Sequence, residues 1–487
     1  MGDKYLIGVD SGSQSTKVVI FNQRGDIICS ASEKLKEMMS TKPGYVEHPD
    51  DDLWDSLKIA SQKVMKEFKG DPKDIMGLGL CSIRCCRVFM KKDGTLAQPV
   101  MSWMDIRSYE KFQDDNPEIS YTCPTSGYLT HRLTGEFKDT AANAFQWQFP
   151  VDMDTWDWSA DEEYFNSFNI PKEKLLDLRM PGTVLGYVTE EAAGETGLPS
   201  GIPVVATAND KAVEALGSGL LKTDAGFISL GTYIASMVCG SKNEASPANF
   251  WTNLSCIPNR YLYESNGIRR GMWHISWYKS IIGEEYAAKA KSEGYSVEEY
   301  LAKEAVNAPA GSDGLLTIPD WLAPASQLHR KGVMIGFDER HTRGHIYRSI
   351  LEGIALTLKN HYDAMINEIG IKPDKIIISG GGSNSDLFMQ IFADAYGVKT
   401  VRNEMNGAAA LGAAICVAVA AGLYGGFDEA VQQMVKQKDE FIPNEENHEV
   451  YSRINTGVYR ELPNLMEETL KTIYKATMKQ DEQSHSQ

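Results

Sequence analysis

The sequence predicts an α/β protein built from two related halves. Three observations point there. A strand, a small-residue turn and a second strand open the chain at 5–21, and the same grammar returns at 224–239. Apolar strands and amphipathic helices alternate through both halves. At 487 residues, with 42% hydrophobic content, the chain can bury a large core, and its length allows two to four domains.

In order, residues 5–9 form a short apolar strand, 10–16 (DSGSQST) a polar turn, 17–21 a second strand and 27–32 a third. Residues 51–68 follow as a helix with Leu53, Leu57, Ala60, Val64 and Phe68 on one face, and 75–82 as a buried strand. The second half repeats this with strands at 224–230, 233–239 and 260–265, a helix at 343–369, a strand at 375–379, a glycine run at 380–382 and a helix to 396. The boundary is expected near 222, giving domains at 1–221 and 222–478 and a polar tail at 479–487. Residues 407–426 (GAAALGAAICVAVAAGLYGG) are uncharged, but Ala and Gly gain little from lipid, so a tightly packed helix is expected there rather than a membrane span.

Composition narrows the partners. Forty-nine Lys and Arg against 66 Asp and Glu give a net charge of −17, which repels nucleic acid and anionic membranes. A nucleotide is still admissible, because backbone amides and Mg²⁺ hold phosphates without a basic surface. Eight scattered cysteines and an N-terminus without an export signal fit a reducing cytoplasm. Cys81, Cys85 and Cys86 lack the ligand spacing of a metal centre and read as buried thiols, and Trp147, Trp156 and Trp158 read as core.

Four segments carry chemistry. Asp10 to Lys17 places a carboxylate at a strand end before small residues whose amides and hydroxyls suit a phosphate; an ordinary Ser/Gly hairpin is the alternative. SLGT at 229–232 offers the same equipment in the second half. Residues 376–385 run from an apolar strand through glycines into a helix, without GxGxxG or Walker spacing. An apolar strand at 204–206 leads to Asp210, which reads either as a helix N-cap or as a base that takes a proton from an attacking hydroxyl.

These segments, with SIRCCRVFMKKDGTLAQPVMSWMDIRS at 82–108, ANDKAVEALGSG at 208–219, DGLLTIPDWLAP at 313–324, RGHIYRSILEGIALTL at 343–358 and SGGGSNSDLFMQIFADAYG at 379–397, resemble the FGGY carbohydrate kinases. The resemblance covers nearly the whole chain. It implies two duplicated ribonuclease H-like domains of the actin and hexokinase type, with a nucleotide cleft between them. It also implies ATP and Mg²⁺ as cofactors, a small sugar or polyol as substrate, and a homodimer as the expected assembly. Carried over by position, Asp210 matches the catalytic base and Asp10 the Mg²⁺-associated carboxylate. Ser13, Thr16 and Lys17 lie in the first phosphate loop, Gly231 and Thr232 in the second, and Gly271, Gly381 and Ser385 on the nucleotide side. Arg84, Cys85, Trp103 and Asp105 join Asp210 in the sugar motif.

Three departures concern the sugar. Cys85 stands where relatives carry a carboxylate or imidazole, the segment after Ser108 reaches TSGYLTHRLTGEFKD at 125–139 without the usual insertion of roughly forty residues, and PDWLAP at 319–324 replaces a Gly-Glu-Arg turn. Trp103 and Asp105 favour a ketopentose such as xylulose, while Arg84 favours glycerol or a tetritol. A non-kinase ATP-binding switch on the same fold is the reading from another class.

Overall fold

The computed structural model describes residues 3–113, 116–231, 233–322 and 327–477. The first half is organised by a six-stranded sheet. Its strands are β1 (Tyr5–Ser11), β2 (Ser15–Asn22), β3 (Ile27–Lys34), β4 (Ile75–Ser82), β5 (Val184–Tyr187) and β6 (Pro203–Val205), in the order β5-β6-β4-β1-β2-β3. Strands β1 to β3 form an antiparallel meander, and β4 and β6 join parallel to β1. Helix α1 (Asp52–Glu67) packs on β2 and β3 because Leu53, Leu57, Ala60 and Val64 recur at helical spacing and bury together. Helix α2 (Thr125–Thr134) ends at Gly135, whose φ of +73° supplies the left-handed cap.

The second half repeats the plan. Strands β7 (Ala225–Ser229), β8 (Ala235–Gly240), β9 (Phe250–Leu254), β10 (Tyr261–Ser265), β11 (Lys375–Ser379), β12 (Lys399–Asn403) and β13 (Gln437–Phe441) lie in the order β9-β10-β8-β7-β11-β12-β13. As around β1, an antiparallel hairpin (β7–β8) is extended by two parallel strands, β11 and β12. Strand β9, an extra edge, has no counterpart among the expected elements. Every strand of the first sheet lies before residue 206 and every strand of the second after residue 224.

Helix α3 (Asp210–Gly217) follows β6 and carries the chain toward the second half; α4 (Arg343–Ile369) and α5 (Asp386–Tyr396) belong to that half. Helix α6 (Ala409–Ala420) is the alanine- and glycine-rich run. It lies against β1, β4 and α3, so a helix of the second half packs on the sheet of the first. Glycine is obligatory at these crossings: a Cβ on Gly8 would stand 1.9 Å from the Ala410 carbonyl oxygen, and one on Gly412 1.9 Å from that of Val213. Small residues therefore serve helix-to-sheet approach, and among the described residues no helix is long and apolar enough to cross a membrane.

Candidate active site

The first turn is tight. The Gly12 amide donates to the Ser15 carbonyl at 3.0 Å, and β1 and β2 pair so that Asp10 stands opposite Lys17. Ser13 is half-buried at the tip. Thr16 departs from the sequence expectation. It is fully buried on the other face of the strand, with its hydroxyl 2.7 Å from Ser56 Oγ and 3.3 Å from Ser11 Oγ, so it holds α1 to the sheet and offers no hydroxyl to a phosphate.

Asp10 is held in the protonated form's favour, its pKa raised to about 7. Burial is the main cause, reinforced by Asp210 and Glu214 and opposed by Lys17 and Lys211. Asp210 opens α3, but the cap is its neighbour: Asn209 Oδ1 accepts the Ala212 amide, while Asn209 Nδ2 donates to the Ala142 carbonyl. The Asp210 carboxylate is thereby released from capping. Its pKa is raised by burial, against which Arg84 and Lys211 stabilise the anion. The Lys211 ammonium donates to Ser229 Oγ at 2.5 Å and lies 3.2 Å from Glu214 Oε2, while Glu214 also accepts Ser229 Oγ at 2.7 Å and Ser379 Oγ at 3.1 Å. One buried carboxylate on α3 thus joins the ends of β7 and β11, the strands that lead into the second phosphate turn and the glycine run.

On the expected sugar side Arg84 lies 3.9 Å from Asp210 Oδ1 through Nε. Its two terminal nitrogens donate to Glu264 Oε2 and Oε1, each at 2.8 Å, in a bidentate pair. Glu264 belongs to β10 and is fully buried, so the pair bridges the two halves. The guanidinium also lies 5.2 Å from the Trp251 ring, which meets Trp147 edge-on at 5.3 Å, and Trp147 stacks on Phe145 at 4.8 Å. The reading of all three tryptophans as core holds for Trp156, at 4% exposure, but not for Trp147, which is 38% exposed beside Trp251.

Cys85 adopts φ +63°, a left-handed conformation unusual for a residue with a Cβ, and burial pushes its thiol up to about 12. It is a neutral group next to Arg84. Trp103 is exposed and its carbonyl accepts the Tyr109 hydroxyl at 2.8 Å. Asp105 is the second correction. It has no exposed surface, accepts Arg107 Nε and the Val46 amide, and caps the short helix Ile106–Tyr109 through the Arg107 amide. Its lone pairs are committed to a fold contact, not to a substrate.

On the nucleotide side, a Cβ on Gly231 would have only Lys211 Nζ within reach, at 4.0 Å, and Gly381 has open space around its Cβ direction. Thr232 lies outside the described residues. At Gly271 a Cβ would collide with Ile234 at 2.1 Å, so packing demands glycine there. Ser385 caps α5 by accepting the Phe388 amide at 3.3 Å. Within PDWLAP, Trp321 packs on His274 and Trp277, ring centroids 4.8 and 4.9 Å away; Ala323 and Pro324 lie outside the described residues.

The donor set suits a cation delivered with a nucleotide. Among the described residues Asp10 receives only a long contact from the Cys81 thiol, 3.9 Å, and Asp210 and Glu214 add negative potential. Among the described residues no group of three His, Cys, Asp or Glu side chains could hold a metal unaided. The remaining oxygens would come from phosphates and water, as Mg²⁺ prefers.

Sequence reasoning missed Lys211, Glu214, Glu264, Trp147 and Trp251. Two left a local signal: Glu214 interrupts the apolar face of α3, and Glu264 sits in a strand, YLYES, that is otherwise buried.

Comparisons with known proteins show the family and the fold. The N-terminal domain model of the FGGY family of carbohydrate kinases matches residues 5–122 and 113–217, and the C-terminal domain model matches 226–421. The first match is split near the shortened segment after Ser108. The uncharacterized sugar kinase YgcE of Escherichia coli (strain K12) is 48% identical over 97% of this chain and 96% of its own length. Xylulose kinase of Bacillus subtilis (strain 168) is 24% identical over 93% of this chain and 95% of its own. The crystal structure of ligand-bound xylulose kinase from Lactobacillus acidophilus superposes with a TM-score of 0.83 at 20% identity, covering 96% of this chain and 100% of that one. The chain belongs to the FGGY family of carbohydrate kinases, phosphotransferases that use ATP and an alcohol acceptor.

Proposed function

We propose that the chain transfers the γ-phosphoryl group of ATP to a terminal hydroxyl of a small sugar or polyol, with Asp210 as the general base. One observation carries this reading. The Asp210 carboxylate stands between Arg84, 3.9 Å away on the sugar side, and Lys211 beside Gly231 on the phosphate side. Asp210 accepts the hydroxyl proton as that oxygen bonds the γ-phosphorus; the bond to the β,γ-bridging oxygen breaks and its electron pair leaves with ADP. Burial makes Asp210 more basic, while Arg84 and Lys211 keep it ionised. Asp10 would hold Mg²⁺, which supplies neutralisation of phosphate charge when bound. Lys17, the backbone of the turn at Ser13 and Gly231 receive phosphate oxygens, and Gly381 and Ser385 flank the nucleoside. Closure of halves 1–221 and 222–478 over the reactants excludes water as a competing acceptor.

The acceptor is placed first as a ketopentose such as xylulose, supported by Trp103, and second as glycerol or a tetritol, supported by Arg84. Burial of Asp105 removes half of the original support for the first. The test is a coupled ADP-release assay over ketopentoses, tetritols, glycerol and hexonates with ATP and Mg²⁺. Saturable release with one acceptor class supports the reading. ATP hydrolysis indifferent to every acceptor would overturn it and favour a nucleotide switch.

A further inference from the structure

We infer that Lys211 is a catalytic residue whose ammonium group bonds an oxygen of the γ-phosphoryl group during transfer. The inference rests on the kinase reading, and three observations lead to it. An ammonium has three N–H donors. Among the described residues two are engaged, by Ser229 Oγ at 2.5 Å and Glu214 Oε2 at 3.2 Å, and the third has no partner. Nζ lies 4.0 Å from the Cβ position of Gly231, and no other described residue outside the adjoining chain comes within that distance, so the ammonium stands beside the second phosphate turn.

Charge supplies the second observation. Three carboxylates, Asp10, Asp210 and Glu214, share this part of the cleft with the ammoniums of Lys17 and Lys211 and with Arg84, whose guanidinium is committed to Glu264. Mg²⁺ at Asp10 would offset part of the repulsion between these carboxylates and a triphosphate, and a cation at the terminal group offsets more. Lys17 sits across from Asp10 on the first turn, leaving Lys211 as the cation on the second.

The third is chain position. Lys211 follows Asp210 directly on the first turn of α3, and its amide donates to Asp210 Oδ1 at 2.9 Å. The group that takes the hydroxyl proton and the group that meets the transferred oxygens are therefore fixed by one backbone. Glu214 and Ser229 hold the ammonium in place before ATP arrives, so little reorganisation remains for the reaction itself.

The experiment uses the full chain with Lys211→Met and Lys211→Arg, following turnover with the best acceptor of the panel and Mg·ATP and Mg·ADP binding by calorimetry. Turnover in Lys211→Met is expected to fall ~100-fold, as for loss of one transition-state donor. Mg·ADP, which lacks the γ-phosphoryl group, should bind within about twofold of the native affinity, while Mg·ATP binds more weakly. Lys211→Arg should keep about tenfold more turnover than Lys211→Met. Native-like turnover in Lys211→Met, or equal loss of ATP and ADP binding with a lowered thermal midpoint, would overturn the inference and leave Lys211 as a strut for Glu214. Should Lys211→Met not fold, Lys211→Gln is read in its place. If the native chain turned over no acceptor, the Asp210 reading would fail, yet the ATP-against-ADP difference would still decide Lys211.

Discussion

The phosphate side and the sugar side of the cleft are built by different rules. Around the phosphates, recognition comes from turns: Asp10, Ser13 and Lys17 lie within eight residues, and Gly231 follows Ser229 on one strand end. Around the sugar, the contacts that cross between the halves join partners far apart in sequence: Arg84 meets Glu264, and Trp147 meets Trp251. Backbone amides at a turn need only small residues in order, whereas a pocket wall needs side chains that the fold brings together. The side that varies with the substrate is thus the side where local motifs say least.

The strongest way to break this comparison is Asp210→Asn. The side chain keeps its size and the Asn209 cap is untouched, so the protein should fold and bind Mg·ATP while turnover falls ~10³-fold. Full activity would remove the base from the shared point of the two sides.

Glu264→Ala addresses the sugar side. It leaves the Arg84 guanidinium, 15% exposed, without its bidentate partner, and should cost about 3–5 kcal/mol of stability by denaturant titration. Arg84→Ala with Glu264→Ala should cost less than the separate losses added together. Additive losses would show that the pair does not couple the halves.

The pH dependence lies beneath the same side. His48 ends the strand Tyr45–His48, whose Val46 amide holds Asp105. His48 is buried, neither ring nitrogen has a partner among the described residues, and burial lowers its pKa from 6.5 to about 4. Between those values the unfolded chain takes up a proton that the folded chain refuses. Stability should therefore be complete above pH 6.5 and decline by about 3 kcal/mol as pH falls to 4. Urea titrations at both ends of this window in native protein and His48→Leu should differ by that amount; parallel curves would contradict it.

Trp147→Ala is the mildest test. Trp147 is 38% exposed, so the thermal midpoint should move little while KM for the acceptor rises ~10-fold and KM for ATP stays. An unchanged acceptor KM would return Trp147 to a packing role.

Periodicity and turn chemistry made most of the architecture legible. The helix at 343–369 and the strands at 75–82 and 375–379 appear with the expected bounds, because each is a long apolar pattern with Gly or polar punctuation. The departures share one cause. Thr16 and Asp105 occupy motif positions, but a motif does not say which face of a strand a hydroxyl takes or which arginine a carboxylate meets.

The sequence by itself determined the two-half plan, the order of the phosphate turns and the membership of the fold, since these depend on local spacing along the chain. The tertiary structure decided the rest. It freed Asp210 by letting Asn209 cap α3, set Glu214 to bind Lys211, Ser229 and Ser379, and closed Arg84 onto Glu264 from the opposite half. Burial is the physical reason: a charged group taken from water must find a partner, and for most of these residues that partner lies in the other half of the chain.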